Sequence, residues 1–182
     1  LRDSARGLLR RIGGDRWSGL LRAEMQDTRR EIREQALRED LVDAGTADVS
    51  TLLMLSAEQE APRQRGFSDQ PALAALHLIR AGHLAELLDQ SLHTLTRISL
   101  RGWHRHLVDT ETLSDAVTTK LHVLLDRADE RSLSIALAII ACVPDKELGQ
   151  RIPDTAFNGT LGTEVATRAF FAMRRLGERR DT

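Results

Sequence analysis

The stretch that most constrains the fold is LSIALAIIACV, from Leu133 to Val143. Its residues are apolar on nearly every side of a helix, and Pro144 directly after it cannot continue that helix. The run reaches only about half the length of a membrane span, so we do not expect it to cross a bilayer. We predict a central, buried helix around which the other elements pack.

The rest of the chain shows apolar residues at helical spacing and no sustained alternation of the kind that predicts strands. Leucines recur three and four residues apart from residue 84 to residue 95, and aromatic residues make up only 3% of the chain. Short connections between such helices favour antiparallel neighbours. We therefore predict an all-α protein of about nine helices, arranged as a HEAT-like array or an irregular bundle.

Polar stretches suggest how the chain is organised. Residues 18–42 alternate Arg with Glu around a narrow apolar stripe, which predicts one long charged helix, and Asp48 is suited to cap the helix after it. Residues 60–71 contain two prolines and a glycine, which are typical of a linker or surface loop. The prediction is an N-terminal helical lobe over 1–59 and a HEAT-like core over 72–182, with one continuous domain as the alternative.

Two pairs of His and Asp lie four residues apart, a spacing that places both side chains on one helix face. Such a pair forms a hydrogen bond, or half of a metal site shared between two helices. The chain has no HExxH motif, and its glycines form no phosphate-binding loop, so we predict no catalytic residue and no cofactor. A ligand- or metal-binding helical enzyme stays an alternative, with these candidate ligands: Asp89, His93, His122 and Asp126.

Arginine clusters near both ends of the chain offer a second alternative, a nucleic-acid-binding helical protein. The residues that would contact phosphate are Arg10, Arg11, Arg174 and Arg175. The net charge of −1 and the absence of Tyr argue against a broad phosphate-binding or base-stacking surface. We therefore favour a solvated arginine face over nucleic-acid binding.

Trp103 with its flanking residues Arg101 and Arg105 forms the best candidate for a protein contact, because exposed Trp and Arg concentrate binding energy at interfaces. Trp103 also falls on the apolar stripe with Leu100 and Leu107. Burial of Trp103 in the core is therefore the competing interpretation.

The single Cys142 lies inside the apolar run and is expected to be a small buried hydrophobe in a reducing compartment. The first residues carry charges throughout and lack the apolar stretch of a secretory signal. We therefore expect a cytoplasmic protein with no membrane partner.

The segment from Pro71 to Asp109 resembles the recurring segment of an uncharacterised helical family of alphaproteobacteria. The residues that carry this resemblance are Leu76, Ala81, Gly82, Leu84, Leu88, Leu95, Ile98, Leu107 and Asp109. The resemblance implies a bacterial HEAT-like helical scaffold with no assigned chemistry. Together with the patterns above, it favours a non-enzymatic protein-interaction or regulatory module, whose partner is a protein or a second copy of the chain.

Overall fold

The computed structural model describes residues 2–43, 48–58, 70–107, 110–157 and 160–178. Over these ranges the chain is all α-helical, with one 3₁₀ turn at Asp154–Ala156 and no strand, which confirms the predicted class. The described helices number twelve rather than about nine. They are α1 (Arg2–Ile12), α2 (Gly14–Met25), α3 (Arg30–Asp43), α4 (Val49–Ala57), α5 (Gln70–Arg80), α6 (Leu84–Gln90), α7 (Leu92–Leu95), α8 (Leu100–Leu107), α9 (Asp115–Arg127), α10 (Glu130–Cys142), α11 (Lys146–Gln150) and α12 (Thr163–Glu178).

One extra helix arises because the long charged helix predicted over 18–42 is broken into α2 and α3, so that prediction is wrong. At the break, the carboxylate of Asp27 accepts hydrogen bonds from the backbone N–H of Arg29 at 2.8 Å and from its guanidinium at 2.9 Å. The guanidinium of Arg33 donates to the backbone carbonyl of Asp27 at 2.8 Å. Asp27 thus offers the backbone a local alternative to the helical hydrogen bonds.

A second break divides the apolar stripe that runs from Leu84 to Ile98. Ser91, with φ −133° and ψ 33°, leaves the helical conformation and separates α6 from α7. Leu87 and Leu95 are nonetheless fully buried on either side of the break. Apolar spacing therefore identified the buried residues but not the helix boundary, and a HEAT-like arrangement of these helices stays a prediction.

The chain divides into two compact units, residues 1–77 and 78–182. Residues 60–69 of the predicted linker lie outside the described residues, and residues 70 and 71 begin α5. Among the described residues, no helix combines the length and the apolar character needed to cross a membrane.

Buried charged groups connect the helices of unit 1, residues 1–77. Arg6 of α1 bonds the carboxylate of Glu24 in α2 and, at 2.8 Å, that of Glu39 in α3, and its guanidinium lies 5.5 Å from the ring centroid of Trp17. Burial alone would lower the pKa of Arg6, but the hydrogen bonds that it donates to Glu39 and Glu24 raise the pKa overall. Arg6 therefore stays charged and holds α1 against α2 and α3.

A second buried polar contact in unit 1 joins α5 to α3. His77 donates from Nε2 to the backbone carbonyl of Leu37 at 2.6 Å, and its Nδ1 lies 3.3 Å from Oδ2 of Asp40. Both His77 and Asp40 are buried. The imidazole thus satisfies a backbone carbonyl away from water.

Unit 2, residues 78–182, is built around α10. Every residue from Ser132 to Cys142 is buried, which confirms the central helix predicted from the apolar run. α10 contacts α7, α8, α9 and α12. It begins at a cap in which the carboxylate of Asp129 accepts the backbone N–H of Ser132 at 2.9 Å, as Asp48 does for Thr51 at the start of α4 in unit 1. The apolar run therefore forms the helix around which the larger unit packs.

Candidate functional site

The C-terminal half of α12 exposes a group of large apolar side chains. Phe170 is 64% exposed, Phe171 is 38% exposed and Met173 is 45% exposed. The opposite side of the helix is buried at Val165, Ala169, Ala172 and Leu176. The rings of Phe170 and Phe171 meet edge to face, with centroids 6.0 Å apart. Two of the four Phe residues of the chain therefore lie side by side at the surface.

The exposed face of α8 is cationic. Arg101, His104 and Arg105 occupy positions i, i+3 and i+4 and face solvent, whereas Trp103 and Leu107 are buried. Ser99 begins this helix by accepting the backbone N–H of Gly102 with its hydroxyl at 3.2 Å. The division between a buried apolar side and an exposed basic side follows from the sequence LRGWHRHL itself.

A groove of about 290 Å³ lies between these two helices, over the end of α10. We call it the α8–α12 groove. Its apolar lining comes from one residue of α8, two of α10 and one of α12, and its basic lining comes from α8 and α12. The lining residues are Leu100, Arg101, His104, Ala141, Cys142, Phe171 and Arg175.

Arg168 fixes the position of α12 beside this groove. Its guanidinium is buried and donates to the backbone carbonyl of Ser134 in α10 at 2.8 Å and to that of Ile98, just before α8, at 3.1 Å. The same guanidinium bonds the carboxylate of Glu164 one helical turn away. One side chain thus joins the three helices that form the walls of the groove.

The groove can bind apolar groups and anions, but its thiol is not reactive. Burial raises the pKa of Cys142 to about 11, although the nearby charges of Arg175 and Arg168 oppose this rise. The thiol therefore stays protonated near neutral pH, and a protonated thiol is a poor nucleophile. The guanidinium groups of Arg101 and Arg175 supply positive charge in the lining.

Two other concavities have different linings. On the other flank of α12, Met173 and Leu176 line a groove of about 190 Å³ with α11. Gly149 of α11 permits this close approach, since a Cβ there would come within 2.5 Å of Leu176. In unit 1 a groove of about 310 Å³ is lined by Arg6 and Glu39, which bond each other. Neither of these grooves combines exposed aromatic rings with a cationic helix face.

The structure places two of the three predicted protein-contact residues at the surface. Arg101 and Arg105 are exposed on α8, and Arg101 lines the groove. Trp103 is fully buried, so its prediction as a surface contact is wrong. Trp103 packs in the core because it lies on the same apolar helix face as Leu100 and Leu107.

The two His and Asp pairs do not meet as candidate metal ligands. Asp89 lies in α6 and His93 in α7, so the break at Ser91 removes their common helix face, and Asp89 instead bonds Lys120. His122 and Asp126 share α9, but both bind the guanidinium of Arg151, at 2.6 Å each. Across the described ranges, no group of three His, Cys, Asp or Glu residues lies close enough to hold a metal ion.

The arginines considered for phosphate contact belong to different units. Arg10 and Arg11 are exposed in the last turn of α1 in unit 1. Arg174 and Arg175 are exposed in α12 of unit 2, where Arg175 lines the α8–α12 groove. Arg101 and Arg175, which the sequence suggested for two different functions, thus line one groove.

Sequence reasoning did not select Phe170 and Phe171, although a signal for them exists. The core stripe of α12 contains Val165, Ala169, Ala172 and Leu176, and successive helical residues are about 100° apart. Two adjacent aromatic residues next to Ala169 cannot both join that stripe. Adjacency to a complete apolar stripe could therefore have indicated exposed rings.

Comparison of the chain with protein-family models, with curated proteins and with solved structures gives no match.

Proposed function

We propose that this chain is a non-enzymatic helical protein-interaction module that binds a partner protein through the α8–α12 groove. The observation that carries this proposal is the exposed pair Phe170 and Phe171 on α12, of which Phe171 lines the groove together with Arg101 and His104 of α8. Large apolar side chains clustered at a surface and bordered by polar groups are typical of protein contacts. Aromatic residues and Arg are also the residues enriched at such contacts.

Binding would proceed without movement of the main elements. The α8–α12 groove receives an apolar side chain of the partner, while Phe170 and Phe171 lose contact with water. Complete burial of one Phe side chain is worth about 1.5 to 3 kcal/mol, so two half-exposed rings supply a useful part of a micromolar affinity. Arg168 keeps α12 in register with α8, which limits the conformational entropy lost on binding.

A second copy of the chain is one form that the protein partner takes under this proposal. The cytoplasmic location stays a prediction from the single buried Cys142. Binding of nucleic acid is the rival function. Phosphate contacts require cationic side chains but do not involve the apolar lining of the groove.

Site-specific photo-crosslinking in cells that naturally express the chain tests the proposal. A photoreactive phenylalanine replaces Phe171, which is 38% exposed, or Phe157, a control of the same residue type that is 45% exposed. We expect the probe at position 171 to form a discrete adduct with a polypeptide, since this position lines the groove. The probe at position 157 should give little of that adduct.

The proposal fails if position 171 yields no polypeptide adduct, or if both positions label the same proteins equally. Mapping the attachment site on the adduct and competing with unlabelled protein separate a specific contact from random collisions. An adduct of twice the chain mass identifies self-association, and any other mass identifies a different partner.

A further inference from the structure

We propose that the partner segment bound in the α8–α12 groove is an acidic peptide that presents one large apolar side chain flanked by carboxylates. This inference rests on the proposed function and specifies the chemistry of its partner. It follows from the charge, the volume and the lining of the groove, which together select an anionic amphipathic segment.

The ionisable side chains that line the groove, apart from the thiol, are all basic. Three of its seven lining residues are basic side chains, Arg101, His104 and Arg175, and the others are uncharged. Arg105 adds a further basic group on the same face of α8. In the part of the chain that the structure describes, Arg101 and Arg105 form no ion pair, so the charge of these two guanidinium groups is available to a partner. A carboxylate near these groups gains attraction, and a cation is repelled.

The floor of the groove is apolar. Leu100, Ala141, Cys142 and Phe171 line a volume of about 290 Å³, which accommodates one large side chain such as Leu or Phe. The thiol of Cys142 is protonated and contributes a soft, nearly apolar surface. The groove therefore accepts an apolar anchor between the two basic helices that flank it.

The spacing of the cations also indicates where the carboxylates belong. Arg101 and Arg105 are one helical turn apart on α8, about 5 to 6 Å between their Cβ atoms. Acidic residues three or four positions apart on a helical partner segment match this separation. A phosphate chain matches the charge but supplies no side chain to fill the apolar floor, so the lining favours a peptide over a nucleic acid.

Selection from a displayed library of random 16-residue peptides on the immobilised full chain tests the inference. We expect the enriched peptides to share a large apolar residue with at least two Asp or Glu residues within one helical turn of it. Their dissociation constants for the wild-type chain, measured by fluorescence anisotropy of the synthetic peptides, should rise as salt is added.

Charge variants then locate the contact. Arg101→Glu should weaken binding of these peptides about tenfold or more, because it replaces attraction by repulsion at the rim. Arg131→Glu makes the same charge change on the exposed start of α10 and should leave the dissociation constant within about twofold. Because both side chains are exposed, both variants are expected to fold, and circular dichroism melts verify this.

The other outcomes contradict the acidic character of the partner or its binding in the groove. Enriched peptides that lack acidic residues, or that bind Arg101→Glu and wild type alike, overturn the acidic partner and leave the interaction module standing. If no peptide is enriched, the acidic peptide is ruled out as the partner, whereas the interaction module is still tested by the crosslinking at position 171. If a single-stranded oligonucleotide binds with the same sensitivity to Arg101→Glu while acidic peptides do not compete, the groove belongs to a nucleic-acid interface.

Discussion

Within each of the two units, a different kind of side chain is buried between the helices. In unit 1, Arg6, Glu24, Asp40 and His77 are buried and form contacts between helices that are far apart in sequence. In unit 2, the central helix α10 is buried along almost its whole length by apolar or small side chains. The buried arginine of unit 2, Arg168, bonds mainly to backbone carbonyl groups.

This difference bears on where the binding surface lies. Buried ion pairs contribute little net stability, because removing charges from water costs about as much as their attraction returns. Burial of apolar area stabilises without that opposing cost. Unit 2, with its apolar core, can therefore hold α8 and α12 rigid while Phe170 and Phe171 stay exposed.

The largest effect is expected from Trp103→Ala in unit 2. Trp103 is completely buried, and loss of so large a core side chain should lower the free energy of unfolding of unit 2 by about 3 to 5 kcal/mol. Hydrogen exchange in increasing concentrations of guanidinium chloride, analysed separately for α10 and α2, measures this loss of stability. Increased exchange confined to α2 would contradict the place of Trp103 in the core of unit 2.

A somewhat smaller loss is expected in unit 1 from Arg6→Met, which leaves the carboxylate of Glu24 buried without this cation. Breaking one side of a buried pair should destabilise unit 1 by about 3 kcal/mol, visible as faster hydrogen exchange in α2 and α3. The double variant Arg6→Met, Glu24→Gln should recover much of that loss, because it removes the orphaned charge. If the double variant is as unstable as the single one, packing rather than charge holds α1 in place.

Helix caps should affect both units in the same direction, and by less. Hydrogen bonds from the hydroxyl and then the backbone N–H of Ser132 lower the pKa of Asp129, and those of Ser50 and Thr51 lower the pKa of Asp48. A lowered folded-state pKa means that the stabilisation is present above the unfolded value and is lost as pH falls through the folded value. Asp129→Ala should therefore cost about 1 kcal/mol at pH 7.

The cost of Asp129→Ala should begin to shrink as pH falls below about 4, the ordinary pKa of aspartate, and should go on shrinking until the folded carboxylate, whose pKa is lower, is protonated. Thermal melts of Asp129→Ala, Asp48→Ala and wild type between pH 3 and pH 7 measure this trend in each unit. A difference that stays constant over that range would show that the carboxylate charge does not contribute to the caps.

Sequence patterns predicted the central apolar helix and one helix cap, but missed a break within a charged helix. The run from Leu133 to Val143 predicted the central helix, because a helix without a polar face is stable only when it is buried on all sides. The cap at Asp48 was likewise predicted from residue type alone. The break at Asp27 was missed, since it depends on how one carboxylate and two guanidinium groups satisfy the backbone.

The site was predicted only in part. Arg101 and Arg105 were selected as contact residues, but through Trp103, which the structure buries. Arg175 was selected for phosphate contact and lies in the same groove as Arg101. The meeting of α8 with α12 depends on hydrogen bonds of Arg168 to carbonyl groups 34 and 70 residues earlier, and a periodicity within single helices carries no information about them.

The smallest change in stability is expected from Phe170→Ser. This variant also tests most directly whether the exposed face of α12 binds a partner. Phe170 is 64% exposed, so the free energy of unfolding should change by no more than about 0.5 kcal/mol. The measurement combines denaturant unfolding of this variant with the yield of adduct from the photoreactive residue at position 171. We predict unchanged unfolding and loss of most of the adduct; a variant that unfolds much more easily, or that keeps the full adduct, would contradict a binding role for the exposed face of α12.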